Sequence, residues 1–553
     1  MSKYTIGVDF GSLSGRAVLV DTADGRELST ATLDYPHAVI DRTLPGSGEA
    51  LPADFALQDP RDYLLAAETV IPAVIRDAGV DARDVVGICI DFTCCTVLPV
   101  TGDGTPLCMT DAFANNKHAY AKMWKHHAAQ PYADRINALA AERKETFLHD
   151  FGGKISSEWM FPKLMEVLDR APEVYSAMQY MVEAGDWMTW MLTGKLTRSY
   201  YYAAYKSQYR KGIGYPSPDF LGALDERLRD AADTVLAGEI AMGGACVGHV
   251  TEEAARRFGL YPGTAVATAM PDGHVCSPAL AQNEAGDMFG ILGTSACYML
   301  IDREYHDVPG ICGIVPDGLA GGFYGYEAGL CCLGDHYAWV AANLFPPAYV
   351  KEAEERGIPA IRLLIEKAAA QKPGEHGLVA LNWFNGNRNI LTDASLSGMF
   401  LGMTLRTRPE DFMRAILEAT AFATRLIIEN FRDHGVPVKR FVACGGIARK
   451  DAFTMQLFSD ILGIDIRVAG SAQVPALACA IYAAHAAGVY PTMRAASDAM
   501  NNVSDKVYRP NPENTAVYDA LYREYLTLHD YFGRGGNDVM KRLRAISAES
   551  LLK

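Results

Sequence analysis

The sequence predicts an α/β protein built as two lobes of related design. Short apolar runs alternate with amphipathic segments along its 553 residues, a pattern typical of mixed α/β folds. A chain of this length is expected to form roughly two to four domains. Two segments, "IGVDFGSLSGRAVLVD" (6–21) and "FGILGTSACYMLID" (289–302), also share one layout: an apolar stretch, a glycine with hydroxyl residues, a second apolar stretch and an aspartate. We therefore expect one structural device in each lobe.

Apolar runs and turn residues predict the elements of the first half. The run "VVGICIDFTCCTVLPV" (85–100) predicts a buried strand, a turn and a second strand, and "GDG" (102–104) predicts another turn. Residues 115–150 and 158–193 contain Trp, Met, Lys and Ala at helical spacing and predict helices. Trp159, Trp187 and Trp190 are expected to pack in the core or between helices rather than against a ligand.

The second half contains clearer start and stop signals. "TRPE" (407–410) fits a capping box with proline in the first turn, so we expect a long helix after Thr407. Residues 441–468 predict a strand, a Gly-Gly turn, a helix ended by Gly463 and a second strand. The expected division is a lobe at 1–284, a lobe at 285–490 and a helical appendage at 491–553.

Composition and charge limit the kinds of partner. Lys and Arg number 51 against 66 Asp and Glu, a net charge of −15 that argues against nucleic-acid binding. No apolar run reaches the roughly 20 residues that span a bilayer, and the start of the chain does not resemble a signal peptide. We expect a cytoplasmic protein without a membrane partner. The oligomeric state is not encoded in any motif, and a homodimer is one expectation.

The two glycine turns are candidates for binding an anionic ligand. Gly11 is followed by Ser12 and Ser14, and Gly293 by Thr294; glycine admits close approach to backbone N–H groups, and hydroxyls add donors. The alternative for either copy alone is a plain hairpin. Two copies in corresponding places favour two turns that grip one phosphate chain. Neither the P-loop pattern nor G-x-G-x-x-G occurs in the chain.

Other residues at strand ends could take part in chemistry. Gly445-Gly446 lies between a predicted strand and helix, where a flat ring could pass over bare backbone; a simple turn explains it equally well. Asp9 directly precedes the first glycine turn and could hold Mg²⁺ through waters, or bond its own turn. Asp272 follows an apolar run and could accept a proton from a sugar hydroxyl, or cap a helix.

These motifs resemble those of the FGGY carbohydrate kinases over nearly the whole chain. "GVDFGSLSGRA" is similar to the first phosphate motif of that family, "GILGTS" to the second, "ACGGIARKD" to the adenosine motif, and "PDGH" to the segment with the catalytic aspartate. The resemblance implies an actin-like, ribonuclease-H-like ATPase fold with duplicated lobes around a central cleft. It also implies ATP and Mg²⁺ as cofactors.

Four longer strings resemble one branch of the family, whose members phosphorylate L-ribulose to L-ribulose 5-phosphate in L-arabinose catabolism. They are "WKHHAAQ" (124–130), "GGKISSEW" (152–159), "YKSQY" (205–209) and "GICGIVPDGLAGGFYGYEAGLCCLGDHYAW" (310–339). Alternatives stay open. One is an FGGY kinase for another pentulose or pentitol, such as D-ribulose, ribitol or xylulose, and another is a non-enzymatic actin-like module switched by nucleotide.

On the sugar side, the resemblance implies four residues. Asp272 would be the base that takes the proton from the terminal hydroxyl of a ketopentose. Lys206 and Glu327 would be polar contacts to the sugar, and the backbone at Cys94 would lie beside it. Alternatively, Lys206 is a solvated charge and Glu327 a salt-bridge partner.

On the nucleotide side, the resemblance implies contacts from three motifs, with Asp9 holding the metal. The implied phosphate contacts are Gly11, Ser12, Ser14, Arg16, Gly293 and Thr294, and the implied adenine contacts are Gly445 and Gly446. Asp451, near the adenine pocket, stands where this branch often has asparagine. Ala478 and Cys479 replace a common Gly-Ala pair, a change expected to affect helix packing.

Overall fold

A computed structural model describes residues 3–551 of the chain. The chain divides into two compact units. The first unit comprises the chain up to Asn283 together with Ile314–Tyr324 and Gln473–Asn502. The second unit comprises Glu284–Gly313, Gly325–Ala472 and the chain from Val503 onward.

The strands in chain order are β1 (Tyr4–Phe10), β2 (Ser14–Asp21), β3 (Glu27–Asp34), β4 (Leu57–Gln58), β5 (Val85–Phe92), β6 (Val97–Val100), β7 (Ala121–Lys122), β8 (Tyr180–Glu183), β9 (Thr197–Ser199), β10 (Glu239–Ala241), β11 (Cys246–His249), β12 (Ala265–Ala267), β13 (Met270–Pro271), β14 (Asp287–Leu292), β15 (Ala296–Asp302), β16 (Gly313–Pro316), β17 (Tyr324–Leu330), β18 (Val379–Leu381), β19 (Met399–Leu401), β20 (Arg440–Cys444), β21 (Ile466–Ala469) and β22 (Val503–Tyr508).

The α-helices in chain order are α1 (Pro60–Ala78), α2 (Gln130–Arg143), α3 (Met160–Arg170), α4 (Pro172–Ala177), α5 (Ala184–Thr193), α6 (Tyr200–Lys206), α7 (Pro218–Leu224), α8 (Glu252–Phe258), α9 (Asp272–Val275), α10 (Gly334–Asn343), α11 (Pro347–Arg356), α12 (Ala360–Ala369), α13 (Pro409–Asp433), α14 (Gly446–Lys450), α15 (Ala452–Leu462), α16 (Val474–Ala486), α17 (Met493–Met500), α18 (Pro512–Gly533) and α19 (Val539–Leu551).

The main sheet of the first unit has helices on both faces. Its strand order is β11-β12-β5-β1-β2-β3, with β13 beside β5. Strand β1 pairs antiparallel with β2 and parallel with β5. Helix α1 packs over β2 and β3, and α16 over β1 and β5. A Cβ at Gly7 would lie 1.7 Å from the carbonyl oxygen of Ala476, so only glycine lets the backbone of α16 come this close to β1.

A smaller sheet in the first unit has the order β4-β7-β6-β8. The run at 85–100 forms β5, a turn and β6 as predicted. The segments predicted to be helical form α2, α3, α4 and α5, but β7 and β8 interrupt them, because these short extended pieces pair with β4 and β6. Trp159, Trp187 and Trp190 are buried in the cores, as expected.

The sheet of the second unit repeats the local arrangement of the first. Its strands within that unit follow the order β17-β15-β14-β20-β21-β22. Strand β14 pairs antiparallel with β15 and parallel with β20, just as β1 does with β2 and β5. The weak similarity between residues 6–21 and 289–302 therefore reflects one strand arrangement present in both units.

Two details of the helices differ from the expectations. The long helix α13 begins at Pro409, and the Asp411 carboxylate accepts from the Arg408 N–H at 2.7 Å, so the capping box lies one residue later than "TRPE" suggests. The Gly-Gly turn leads into two helices, α14 and α15. Residues 473–502 group with the first unit, because α16 packs on β1 and β5; the division into 1–284, 285–490 and 491–553 stays a prediction.

Among residues 3–551, none of the helices combines the length and the apolar character that crossing a bilayer requires.

Candidate active site

The first turn (residues 11–14) joins β1 to β2. The Gly11 N–H donates to the Ser14 carbonyl at 2.9 Å, and Phe10 pairs with Gly15 across the hairpin. The plain-hairpin interpretation is therefore correct for the backbone. The turn differs from an ordinary surface hairpin in how its serine is held.

Two side chains from the small sheet region brace Ser12. The Trp124 indole Nε1 donates to Ser12 Oγ at 3.0 Å, and the Gln58 amide donates to the Ser12 carbonyl at 2.8 Å. Since Ser12 Oγ accepts from the indole, its own O–H hydrogen is left to donate elsewhere. Neither Trp124 nor Gln58 was among the predicted site residues, although Trp124 begins the string "WKHHAAQ".

Two carboxyl groups lie side by side next to the first turn. Asp9 on β1 is paired in register with Asp91 on β5, so both side chains project from the same face of the sheet. Arg16 Nε lies 3.3 Å from Asp9 Oδ2. Asp9 faces Arg16 and Asp91, which favours the functional interpretation over an aspartate that bonds its own turn.

Burial governs the protonation of these acids. Burial raises the pKa of Asp9, and the Arg16 charge opposes that rise. Burial raises the pKa of Asp91 well above its usual range, and the charges of Asp9 and Asp272 add to this effect. The Cys479 thiol donates to Asp91 Oδ2 at 3.2 Å, so this departure from the family pattern touches the acid pair and is not limited to helix packing.

Asp91 is a residue that reasoning from the sequence missed. A signal was present, because "VDF" at the end of β1 recurs as "IDF" at the end of β5. Parallel neighbours place such residues side by side.

Asp272 lies at the start of α9, in reach of the same acids. Pro271 occupies the N-cap position, so Asp272 is the first helical residue and not the cap. The Gly273 N–H donates to Asp272 Oδ1 at 2.7 Å and orients the carboxylate. The charge of Asp272 raises the pKa of Asp91, so Asp272 lies near enough to the two acids to affect the protonation of Asp91.

The proposed sugar contacts of the first unit also come together. Lys206, the last residue of α6, is 5% exposed, which rules out a solvated surface charge. Its ammonium lies 5.4 Å from the ring centre of Trp159 and 5.9 Å from that of Tyr205. Its charge lowers the pKa of the Cys94 thiol, against a larger rise caused by burial, so Lys206 and Cys94 are neighbours.

An aromatic contact links Lys206 to the segment that carries Asp272. Tyr205 precedes Lys206, and its ring centre lies 4.0 Å from that of His274, two residues after Asp272. The Tyr202 hydroxyl donates to the Met270 carbonyl at 2.7 Å on the preceding strand. Helix α6 therefore holds the base candidate and the lysine in one packed group. Tyr205 and His274 lie in the quoted strings "YKSQY" and "PDGH".

The second turn (residues 293–295) joins β14 to β15 in the second unit. The Gly293 N–H donates to the Ser295 carbonyl at 3.0 Å. The carbonyls of Gly293 and Thr294 accept from N–H groups at the start of α10, Leu333 to Thr294 at 2.7 Å and Gly334 to Gly293 at 3.0 Å. The start of α10 thus supports this turn through backbone hydrogen bonds.

The Gly-Gly turn lies against the second turn. Gly445 has a φ of 93°, and a Cβ there would lie 2.6 Å from the carbonyl oxygen of Leu292, the residue before Gly293. Both constraints demand glycine. A Cβ at Gly446 would meet nothing within 4 Å. The structure therefore joins two predicted nucleotide motifs and leaves the position of a Cβ at Gly446 open.

Asp451 and Glu327 complete the predicted set. Asp451 caps α15, and its carboxylate accepts from the Thr454 N–H at 3.1 Å and from the Thr454 hydroxyl at 2.5 Å. Glu327 is 8% exposed on β17, and its carbonyl accepts from the Cys312 N–H at 2.8 Å. The apposition of the first and second turns across one cleft stays a prediction.

The fold and the site define a class of protein. Two units repeat one strand arrangement and each carries a glycine turn, and one of them adds buried carboxylates and a buried lysine. This is the organisation of a phosphoryl-transferring α/β kinase. Residues 4–277 match the N-terminal domain, and residues 288–487 the C-terminal domain, of the FGGY family of carbohydrate kinases.

The chain belongs to the FGGY family of carbohydrate kinases. It is 48% identical over 538 residues to a ribulokinase from Bacillus licheniformis, covering 97% of both chains. It is 47% identical to a ribulokinase from Halalkalibacterium halodurans, covering 99% of this chain and 98% of that one. Family membership confirms a sugar-phosphorylating enzyme with a sugar and ATP as its small-molecule partners, and it disfavours a non-enzymatic module.

Solved structures show the same fold. A gluconate kinase from Lactobacillus acidophilus superposes with a TM-score of 0.79 at 20% identity, covering 97% of this chain and 99% of that one. A xylulose kinase from Rhodospirillum rubrum gives 0.75 at 23% identity, covering 95% and 98%. The predicted α/β fold class, with two units of the actin-like ATPase type, is confirmed.

Proposed function

We propose that this protein is a cytoplasmic ribulokinase that transfers the γ-phosphoryl group of MgATP to L-ribulose and forms L-ribulose 5-phosphate in L-arabinose catabolism. The observation that carries the proposal is the similarity to proteins named ribulokinase. Six of them are 46–48% identical to this chain and cover 97–100% of it. Similarity at this level along the whole chain favours a shared substrate over a shared fold alone.

The contacts in the first unit support a small polyhydroxylated substrate. Lys206 supplies a buried ammonium, Cys94 lies beside it, and the Asp272 carboxylate lies on the segment that packs against α6. An ammonium donates hydrogen bonds and a hydroxyl accepts them, so the hydroxyls of a ketopentose suit a site that contains Lys206. Glu327, buried on β17, is the sugar contact proposed from the second unit.

Asp272 is the proposed general base. The sugar O5 atom forms a bond to the γ-phosphorus while the bond from that phosphorus to the β–γ bridging oxygen breaks, and ADP leaves. The O5 proton passes to the Asp272 carboxylate. The hydrogen bond from the Gly273 N–H holds that carboxylate in one orientation, and positioning of this kind supplies much of the catalysis in phosphoryl transfer.

The neighbouring carboxyl groups of Asp9 and Asp91 suit Mg²⁺. Burial raises the pKa of both Asp9 and Asp91, and the charge of Asp9 raises that of Asp91 further. A divalent cation would favour the ionised form of both carboxyl groups. Mg²⁺ prefers carboxylate oxygens and keeps several waters, so one or two carboxylates suffice. Among the described residues, a cluster of three or more ligating groups is absent. Binding through one or two carboxylates and several waters does not require such a cluster. Asp9 would hold the ion, which neutralises phosphate charge when bound.

The nucleotide contacts are proposed as follows. Ser12, Ser14 and Arg16, with the backbone of Gly11, bind phosphates in the first unit, and Gly293 and Thr294 bind them in the second. Adenine lies over Gly446, where a Cβ would meet nothing within 4 Å, with Asp451 beside the pocket. The start of α10 occupies the carbonyls of the second turn, which leaves the Thr294 hydroxyl to face a ligand.

A panel assay tests the substrate. ADP release is measured by a coupled assay with L-ribulose, D-ribulose, xylulose and ribitol, and the phosphorylated carbon is located by ³¹P and ¹³C NMR. We expect the highest kcat/KM with L-ribulose and a phosphate on C5. A higher value with another sugar, or ATP turnover that no sugar stimulates, would overturn the proposal.

The proposal includes a homodimer, supported by exposed apolar side chains near β19. Leu401 is 52% and Met403 60% exposed, and Leu405 is fully exposed. Protein–protein contact is a common reason for such a patch. Sedimentation velocity of the protein and of a Met403→Lys/Leu405→Lys variant measures it: a dimer that the variant breaks supports this surface, and a wild-type monomer contradicts the proposal.

A further inference from the structure

The turn at residues 93–96 connects β5 to β6 and carries Cys94. Cys95 within it has a φ of 64°, a left-handed conformation that a non-glycine residue rarely adopts. The hydroxyls of Thr93 and Thr96 lie 2.8 Å apart across the turn. A backbone in such a conformation persists only where its surroundings hold it.

Lys163 is the side chain that binds the middle of this turn, whose ends are held by backbone hydrogen bonds of Thr93 and Thr96. Its ammonium donates to the Cys95 carbonyl at 2.6 Å and to the Met123 carbonyl at 2.7 Å. The side chain is completely buried, so these carbonyls replace the water that an exposed ammonium would bind. One cation therefore joins two backbone segments that are far apart in the sequence.

The second of these segments leads to the first turn. Met123 precedes Trp124, whose indole donates to Ser12 Oγ at 3.0 Å. Strand β7 directly precedes Met123 and pairs with β4. Strand β4 carries Gln58, whose amide donates to the Ser12 carbonyl. The Met123 carbonyl is thus the point at which Lys163 connects to the support of Ser12.

The start of α3 adds a second link to the sugar side. Lys163 lies in the first turn of α3, which begins directly after Trp159. The Lys206 ammonium lies over the Trp159 ring. The same helix end therefore contacts both the proposed sugar lysine and the turn that carries Cys94.

We infer that Lys163 is a positioning residue for phosphoryl transfer, which holds the sugar-side turn at 93–96 and the phosphate-side first turn in one fixed arrangement. It acts through the carbonyls of Cys95 and Met123. The inference rests on the proposed function, because it takes the Cys94 backbone as a sugar contact and Ser12 as a phosphate contact.

Lys122 offers a matched control. It is also a completely buried lysine of the first unit, but its ammonium pairs with the Glu166 carboxylate at 3.1 Å. Lys122→Met removes a buried ammonium from the same region and leaves both bonds from Lys163 to Cys95 and Met123 in place. Loss of general stability affects both variants, and loss of the hydrogen bonds to the Cys95 and Met123 carbonyls affects only Lys163→Met.

The first experiment compares the two variants kinetically, below the unfolding midpoint of each. We expect Lys163→Met to raise KM for the ketopentose at least tenfold more than Lys122→Met does, and to lower kcat as well. Lys163→Gln, which keeps N–H donors on a shorter side chain, should fall between wild type and Lys163→Met. If a methionine variant does not fold, the Lys163→Gln and Lys122→Gln pair gives the same comparison. Equal effects in the two positions would overturn the inference.

A rescue provides the second test. Glycine adopts a positive φ without strain. Cys95→Gly should therefore make the turn at residues 93–96 less dependent on the hydrogen bond from Lys163. We expect the KM of Cys95→Gly/Lys163→Met for the ketopentose to be at least threefold lower than that of Lys163→Met. A double variant no better than Lys163→Met would contradict the role of Cys95.

Hydrogen exchange of the ligand-free protein separates this inference from the proposed function. We expect faster amide exchange at residues 93–97 and 122–125 in the Lys163 variant and not in the Lys122 variant. This measurement needs no activity. If wild type phosphorylates no ketopentose, the proposed function fails on its own; if exchange does not distinguish the lysines, the inference fails.

Discussion

The first and second turns are built on the same strands but differ in length, charge and support. Four residues separate the paired ends Phe10 and Gly15, and three separate Leu292 and Ala296. By strand register, the counterpart of Asp9 in the second unit is Ile291.

The residues that pair with these two positions differ in the same way. Asp9 pairs with Arg16 and Asp91, whereas Ile291 pairs with Cys297 and Cys444. At these register positions, charged side chains therefore accompany the first turn and not the second. In the proposed function, the duplicated backbone supplies two phosphate-binding turns, and the residues proposed for metal binding and proton transfer accompany only the first.

The supports differ too. Side chains of Trp124 and Gln58 hold Ser12, whereas backbone N–H groups at the start of α10 hold the second turn. Side-chain support can be removed by a single substitution, and backbone support cannot. The first turn should therefore respond to mutation in its surroundings, and the second mainly to changes in the glycines themselves.

The largest effect is expected from Asp272→Asn. If chemistry belongs to the first unit, loss of the base should lower kcat by about 10²- to 10⁴-fold with the dissociation constant for ATP nearly unchanged. Steady-state kinetics and calorimetry measure the two quantities. Asp451→Asn in the second unit is the matched control and should keep near-normal turnover, since asparagine caps a helix as well as aspartate does. Near-normal turnover of Asp272→Asn would show that the base is another group.

The next effect separates the two glycines of the nucleotide motif. Gly445→Ala should destabilise the protein by about 1–3 kcal/mol, because its φ is 93° and its Cβ would meet the Leu292 carbonyl. Gly446→Ala should leave the unfolding midpoint unchanged but raise KM for ATP severalfold. Thermal unfolding and kinetics check both. A Gly446→Ala variant with unchanged KM would place adenine elsewhere.

A pH effect should act on the support of the first turn. Burial, with the charge of Lys122, lowers the pKa of His126 to about 3, and its Nδ1 accepts from the Ala56 N–H beside β4. The His126 imidazole binds a proton more weakly in the folded state than in the unfolded state. Its contribution to the free energy of unfolding is therefore fully present above about pH 6.5. Below that it falls by about 1.4 kcal/mol per pH unit. Urea unfolding at pH 7.0 and 5.5 measures this loss.

His126→Gln should reduce that pH dependence. The variant has no imidazole to protonate, so the difference in unfolding free energy between pH 7.0 and 5.5 should shrink by about 1–2 kcal/mol. Burial also lowers the pKa of His118, to about 3, so part of the dependence will remain. An unchanged difference would mean that other groups cause the acid sensitivity.

The smallest effect is expected from Trp124→Phe. The variant keeps the ring but loses the indole donor to Ser12, a bond with a net value of about 0.5–1.5 kcal/mol. kcat/KM for ATP should fall about two- to tenfold. Trp339→Phe on α10, where the tryptophan is 42% exposed, is the control and should have no effect. Equal values for both variants would contradict the bracing of the first turn.

Much of the architecture was visible in local patterns. Alternating apolar runs predicted the strands, and the repeated glycine segments predicted the shared arrangement of β1 and β14. Motifs also located Asp9, Asp272 and the Gly-Gly turn. Local sequence patterns are enough to predict these features, because the spacing of apolar residues, the turn residues and the strand ends depend on neighbours in the sequence.

Contacts between distant segments could not be predicted in this way. Asp91, Trp124 and Lys163 became site residues only through pairing of β1 with β5, of β4 with β7 and of α3 with two carbonyls. Helix α16 joined the first unit because Gly7 admits its backbone. These outcomes depend on burial and register, which are properties of the packed chain.

The sequence alone determined the family, the strand and helix types, and the residues able to carry charge or bind phosphate. Only the tertiary structure decided which carboxyl groups share one environment, which turn has side-chain support and which buried cation holds the Cys95 backbone. The physical reason is that residue type sets what a group can do, whereas desolvation and hydrogen-bond partners set what it does in the folded chain. The turn of residues 11–14 shows both, since its glycine and serines were evident in the sequence and the indole that directs Ser12 was not.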